Sequence, residues 1–199
     1  MSVTSAAPTE AAVNQQPYVV GLGGTLRPKS SSERLLRYAL DVAAQHGART
    51  EIFSADSLNL PMYSEDRLRR TDVAIALVEA LAQADGVIVS SPGYHGGVSG
   101  MVKNALDYVE DLRDHPRPYL DGRAVGCIAC AYGWQATTTT LVSLRSTVHA
   151  LRGWPTPLGV SINSAQPLFD GDGRIIDDRA ALSLRAMVGQ VLEFIGAKR

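Results

Sequence analysis

The apolar positions of this chain follow two rhythms that take turns along it. Residues 18–23 are apolar almost without interruption, as a strand buried on both faces of a parallel sheet should be. Over 33–46, Leu35, Leu36, Ala39, Leu40 and Ala43 share one helical stripe, and Gly47 supplies the stop. Residues 49–54 alternate polar and apolar, which suits an edge strand, and 58–66, with Pro61, read as a loop. A second helix is predicted over 72–84, with Val73, Ala76, Leu77, Ala80 and Leu81 inward. The pattern then repeats: a central strand at 86–91, a glycine-bearing loop at 92–97, and a helix capped by Ser99 running to about Leu112. A strand at 124–131, a long helix at 135–151, a strand at 156–162, an acidic turn at 168–173 and a helix at 178–196 complete it.

Five strand–helix alternations predict an α/β fold: a parallel sheet with right-handed crossovers and helices on both faces. Five parallel strands fit the flavodoxin-like order 2-1-3-4-5, in which ligands sit beyond strands one and three. The loops at that switch point are 24–32 and 92–97, and both carry unusual chemistry.

The first reads Gly24-Thr-Leu-Arg-Pro-Lys-Ser-Ser-Ser and leads into a helix. Free backbone N–H groups and the positive end of the helix dipole favour an anion there. A dinucleotide fingerprint would need a glycine where Leu26 stands, and a triphosphate loop would need one before Lys29-Ser30. What remains is a cradle of hydroxyls (Thr25, Ser30, Ser31, Ser32) around one guanidinium, Arg27, suited to a phosphate monoester. In the second loop Pro92 fixes the exit from the strand, and Gly93, Gly96 and Gly97 let backbone approach a flat ligand. Tyr94 can lie against an aromatic ring. His95 reads equally as a charge beside that ring or as a solvated bystander.

A net charge of −1 leaves no basic surplus for a nucleic-acid partner and argues against a carrier docking through a strongly charged face. Residues 1–16 lack a basic start and an apolar core, so they read as a disordered tail rather than a signal peptide, leaving 17–199 as one domain. No uninterrupted apolar run reaches the roughly 18 residues of a membrane span, and no membrane partner is expected. Cys127 and Cys130 are the only cysteines. Three apart on a strand they point to opposite faces, so they read as packing residues of a cytoplasmic protein rather than a disulfide. The four histidines are scattered and the carboxylates of the acidic turn lack calcium-loop spacing, so no metal site is expected. Leu151 and Trp154 read as packing for the sheet face or a subunit contact.

Gly-Gly-Thr-Leu-Arg-Pro-Lys-Ser-Ser-Ser, followed by Ser-Pro-Gly-Tyr-His-Gly-Gly-Val-Ser-Gly-Met-Val-Lys-Asn-Ala-Leu-Asp-Tyr, resembles the NADPH-dependent FMN reductase family over 18–162. The resemblance implies a phosphate-binding loop at Thr25, Arg27, Ser30 and Ser32. It implies an isoalloxazine-binding loop at Pro92, Gly93, Tyr94, His95 and Gly96, and a third loop at Tyr132, Gly133 and Trp134. Thr25 stands where serine is usual, and Tyr132 and Trp134 where small residues are more common. Lys103 and Asn104 look structural rather than catalytic.

The resemblance implies a flavoprotein oxidoreductase moving a hydride from NADPH or NADH to FMN. Backbone N–H groups of the second loop, with or without His95, would stabilise the ring, and no side chain is obligatory as a general acid. It also implies a homodimer or homotetramer, with a flavin-dependent monooxygenase as the receiver of reduced FMN. Two alternatives stay open: an enzyme that keeps FMN and reduces a quinone, azo dye or metal ion, and a non-enzymatic flavin-binding electron carrier.

Overall fold

The first strand, β1 (Tyr18–Gly23), is buried along its whole length, as its unbroken apolar run requires. The computed structural model describes residues 16–27 and 29–198, so the tail expected over 1–16 lies, but for Gln16, outside the described residues. Ser30 caps helix α1 (Ser31–Gln45), its hydroxyl accepting the Glu33 N–H at 3.3 Å. The helix therefore starts two residues earlier than its apolar stripe predicts, and Ser31 and Ser32 belong to its first turn. Strand β2 (Arg49–Phe53) pairs parallel with β1 at the edge of the sheet.

Helix α2 (Asp72–Gln83) corrects the expected inner face. Thr71 caps it through the Ala74 N–H. The buried positions are Ala74, Leu77, Ala80 and Leu81, while Val73 and Ala76 are exposed. A stripe read from 74 rather than 73 meets the sheet; alanine at 74 and 76 made the two phases indistinguishable by pattern.

Strand β3 (Gly86–Tyr94) runs three residues beyond its predicted end and turns back into a two-residue strand β4 (Gly97–Val98), pairing Tyr94 with Gly97. The expected loop is thus a β-hairpin. Its two central residues, His95 (φ 52°) and Gly96 (φ 82°), both have positive φ, as a type I′ turn demands. Ser99 caps helix α3 (Gly100–Asp107), which tightens into a 3₁₀ segment over Tyr108–Leu112 instead of staying α-helical to Leu112.

Strand β5 (Ala124–Ala131) has its predicted bounds, and helix α4 (Trp134–Ala150) follows. The expected strand at 156–162 is broken into β6 (Trp154–Pro155) and β7 (Val160–Asn163). Pro155 and Pro157 have no N–H to donate, and the Thr156 hydroxyl bonds Leu158 O at 2.8 Å, looping the chain out between them. Helix α5 (Asp178–Ala197) is capped by Asp177.

The sheet order is β2-β1-β3-β5-β6, with β7 on the same edge of β5 as β6 and β4 paired antiparallel with β3. Seven strands, rather than the expected five, thus occupy the flavodoxin-like 2-1-3-4-5 positions plus a hairpin. Alternating side chains feed two cores. Val20, Leu22, Val87, Val89, Val125 and Cys127 face α2, α3 and α4. Val19, Ile88, Ile128 and Cys130 face α1 and α5. The two cysteines are free and on opposite faces, as their spacing predicts. By length and composition α5 is apolar enough to cross a membrane, and it lays Leu184, Met187, Val188, Val191 and Ile195 into the second core. Trp154 is largely exposed, and its ring meets Phe194 of α5 with centroids 6.0 Å apart.

Candidate active site

The carboxyl ends of β1, β3 and β5 open onto two adjoining cavities. The first, about 560 Å³, is lined by Thr25, Arg27, Ser30, Ser32, Pro92, Gly93 and Tyr94, and on the far side by Cys130, Tyr132 and Ser164. The second, about 530 Å³, is lined by His95, Gly96, Tyr132, Gly133 and Trp134, with Gln135, Ala136 and Thr139 from the first turns of α4. All twelve residues expected to hold cofactor therefore line one or the other, and Tyr132 borders both.

The first loop is tied down by backbone. Gly24 N–H donates to Ser90 O at 3.0 Å, and Ser90 Oγ donates to Ser32 O at 2.8 Å. Ser30 and Ser32 are buried with their hydroxyls 3.4 Å apart, and the Thr25 hydroxyl accepts the Arg27 N–H at 3.1 Å. Ser30 is thus first a helix cap, and its hydroxyl reaches the cavity as a shared group. The exposed Arg27 guanidinium has no partner among the described residues.

In the second loop a Cβ on Gly93 would lie 2.4 Å from Thr140 Oγ1 and 2.9 Å from Ala131 Cβ, so glycine there admits the approach of α4. Thr140 Oγ1 in turn donates to Gly97 O at 3.3 Å, fixing the hairpin to α4. Tyr94 and His95 stand exposed at its tip. In the third loop Gly133 is the N-cap of α4 and offers no side chain, so the helix's first N–H groups open toward the cavity.

Two residues missed in the sequence hold this end together. Asn163 Oδ1 accepts the Gly133 N–H at 2.9 Å and the Ala165 N–H at 3.0 Å. Ser164 lines the first cavity beside Cys130. The signal was a polar pair at the carboxyl end of the last strand, where α/β ligands bind. Burial pushes the Cys130 thiol up to about 11, against the pull of Ser164 and the Arg27 charge, and pushes Cys127 to about 12. Both stay protonated at neutral pH, so neither is a nucleophile.

The donor set fits FMN. A free guanidinium, clustered hydroxyls and the start of a fifteen-residue helix match a monoester dianion. The second cavity adds aromatic walls and open N–H groups for a ring with one polar edge.

The model of the NADPH-dependent FMN reductase family matches residues 17–167. An NAD(P)H-dependent FMN reductase of Pseudomonas aeruginosa is 29% identical over 178 residues, covering 88% of this chain and 91% of that protein. An FMN-dependent NADPH-azoreductase of Staphylococcus aureus is 27% identical, covering 86% of this chain and 92% of its own. Among solved structures, FerB, a flavoenzyme NAD(P)H:(acceptor) oxidoreductase from Paracoccus denitrificans, shares the fold. It has a TM-score of 0.74 at 20% identity, over 91% of this chain and 98% of that one. With the cradle, the hairpin and the family match in agreement, this chain belongs to the NADPH-dependent FMN reductase family and is an oxidoreductase of FMN and NAD(P)H.

Proposed function

We propose that the chain is a cytoplasmic flavin reductase that releases its reduced FMN to a separate flavin-dependent monooxygenase and works as a homodimer or homotetramer. The observation that carries the FMN site is the Arg27 guanidinium, without a partner among the described residues, beside the Ser30–Ser32 cradle and the N-terminus of α1. Residues from 17 onward act as one flavin-binding unit.

FMN, when bound, supplies the ring that accepts hydride from the nicotinamide. The protein's part is placement. Arg27, Thr25, Ser30 and Ser32 bind the phosphate, Tyr94 walls the same cavity, and Tyr132 borders both it and the ring cavity. The open N–H groups at the start of α4, with those of the hairpin, hydrogen-bond the polar ring edge and favour negative charge there. Tyr132 and Trp134 flank the ring and exclude water. His95 stands at the exposed tip of the turn, at the edge of the ring cavity.

A second reading is favoured by one feature, an apolar cavity of about 340 Å³ beside the phosphate loop. In it FMN stays bound and a flat acceptor is reduced. Aerobic NADPH oxidation by the purified protein separates the two. The flavin-reductase reading predicts a rate that depends on added FMN and saturates at roughly 1–100 μM. A yellow protein whose rate ignores added FMN and requires a quinone supports the second reading. No NADPH oxidation under either condition overturns both.

A further inference from the structure

Asn163 ends β7 in register with Ala131 of β5, and only 8% of it is exposed. It lines neither flavin cavity, yet its Oδ1 ties together two loops at the ligand end of the sheet. The Gly133 N–H, from the loop after β5, meets it at 2.9 Å, and the Ala165 N–H, from the loop after β7, at 3.0 Å. Gly133 is the joint that this clamp holds. Its φ of 106° and ψ of 147° lie where glycine alone goes readily, although a Cβ there would meet nothing within 4 Å. The residue is therefore glycine for its backbone angles, and the Asn163 amide holds those angles from the neighbouring strand.

What the joint aims is the start of α4. Gly133 O accepts the Thr137 N–H at 3.2 Å. The N–H groups of Trp134, Gln135 and Ala136 keep no acceptor among the described residues, and all three residues line the ring cavity. The turn is braced from behind, the hydroxyls of Thr137 and Thr138 donating to Trp134 O at 2.8 and 2.9 Å. Its positive field is also left standing. Helices α1, α2 and α5 carry Glu33, Asp72 and Asp178 in their first turns, which offset the dipole, while α4 carries no acid there. At α5, Asp177 Oδ1 takes the Arg179 and Ala180 N–H groups, both at 3.0 Å. A carboxylate thus does at α5 what a neutral amide does beside the ring cavity.

We propose that Asn163 is a positioning residue for flavin reduction, a neutral clamp that fixes the Gly133 peptide so that the uncompensated start of α4 meets the ring edge where negative charge gathers. The inference rests on the reading that the open N–H groups of α4 hydrogen-bond the polar edge of FMN. A neutral acceptor anchors the loop without cancelling the field that favours the reduced ring.

Asn163→Ala and Asn163→Asp test this in the full chain, with protein in excess over FMN. Fluorescence titration reads the affinity for oxidised FMN, and anaerobic equilibration with a dye of known potential reads the two-electron potential of the bound flavin. Asn163→Asp keeps an acceptor for both N–H groups, so oxidised FMN should bind within about threefold of wild type. Its charge should disfavour reduced FMN about tenfold, lowering the potential by about 30 mV. Asn163→Ala releases the joint and should weaken reduced FMN about tenfold more than oxidised FMN, with a similar fall in potential. A merely structural residue would weaken both forms equally. An Asn163→Ala potential that is unchanged or raised therefore overturns the positioning role, however weakly FMN binds. An unchanged or raised potential in Asn163→Asp overturns it too, because it puts the start of α4 away from the ring, and this arm decides if Asn163→Ala does not fold. Failure of the wild-type chain to bind FMN would be seen before any variant is compared, and would sink the underlying reading itself.

Discussion

Gly23→Ala should lower the melting temperature by roughly 10–15 °C, the equivalent of about 4 kcal/mol in a domain of this size. Gly23 sits at φ 147°, and a Cβ there would lie 1.9 Å from Ser90 O and 2.7 Å from Ser90 C. Both are backbone atoms of β3, so no side-chain rotation relieves the overlap. The strands would have to part where Gly24 N–H meets Ser90 O, the bond that starts the phosphate loop. FMN affinity should fall with stability, because the same bond positions Thr25 and Arg27. Gly189→Ala is the control: nothing lies within 4 Å of a Cβ there, it sits inside α5, and the change should stabilise by up to about 1 kcal/mol. Thermal unfolding of the two variants side by side checks the sign; a Gly23→Ala protein as stable as wild type would refute the close approach.

The other large effect is at the ion pair that closes the segment between β2 and α2. Arg70 and Asp111 form a 2.6 Å ion pair with side chains only 8% and 10% exposed. The Arg70 guanidinium also lies 4.8 Å from the Tyr63 ring centroid and 5.0 Å from that of Tyr108. Asp111 holds the guanidinium's pKa above its ordinary value, against the pull of desolvation, and without Asp111 the intrinsic basicity of arginine still keeps Arg70 a cation at neutral pH. Asp111→Ala therefore strands a desolvated charge and should cost about 3–5 kcal/mol. Replacing both, Arg70→Met with Asp111→Leu, removes the stranded charge and should recover most of that loss. Urea midpoints of the single and double variants measure it; a single variant no worse than the double would mean the pair carries no buried charge.

The elements whose residues decide their own conformation were legible in the sequence. β1 and β5 are unbroken apolar runs and have their predicted bounds, and the α1 stripe buries all five expected residues. Where local pattern was ambiguous it misled: alanines blurred the phase of α2, and two prolines split a strand that apolarity alone ran together. The hairpin was written as Tyr94-His95-Gly96-Gly97, a two-residue turn signal in which histidine takes the place usually held by asparagine or aspartate, both tolerant of positive φ. The cradle was legible because anion binding at a helix start is local chemistry. Asn163 and the segment between β2 and α2 were not, since they are placed through partners about 30 to 45 residues away, Gly133 and Asn104.

The account stands on Arg27 as the residue that reads the phosphate. Fluorescence titration of Arg27→Ala with FMN and with riboflavin, which lacks the phosphate, tests it most directly. A charge-assisted contact worth about 1.5–3 kcal/mol predicts that FMN binding weakens by roughly 10- to 150-fold. Riboflavin binding should stay within about twofold of wild type, since only the phosphate meets the guanidinium. Equal losses for the two flavins, or no loss for FMN, would contradict the phosphate cradle and with it the placement of the flavin.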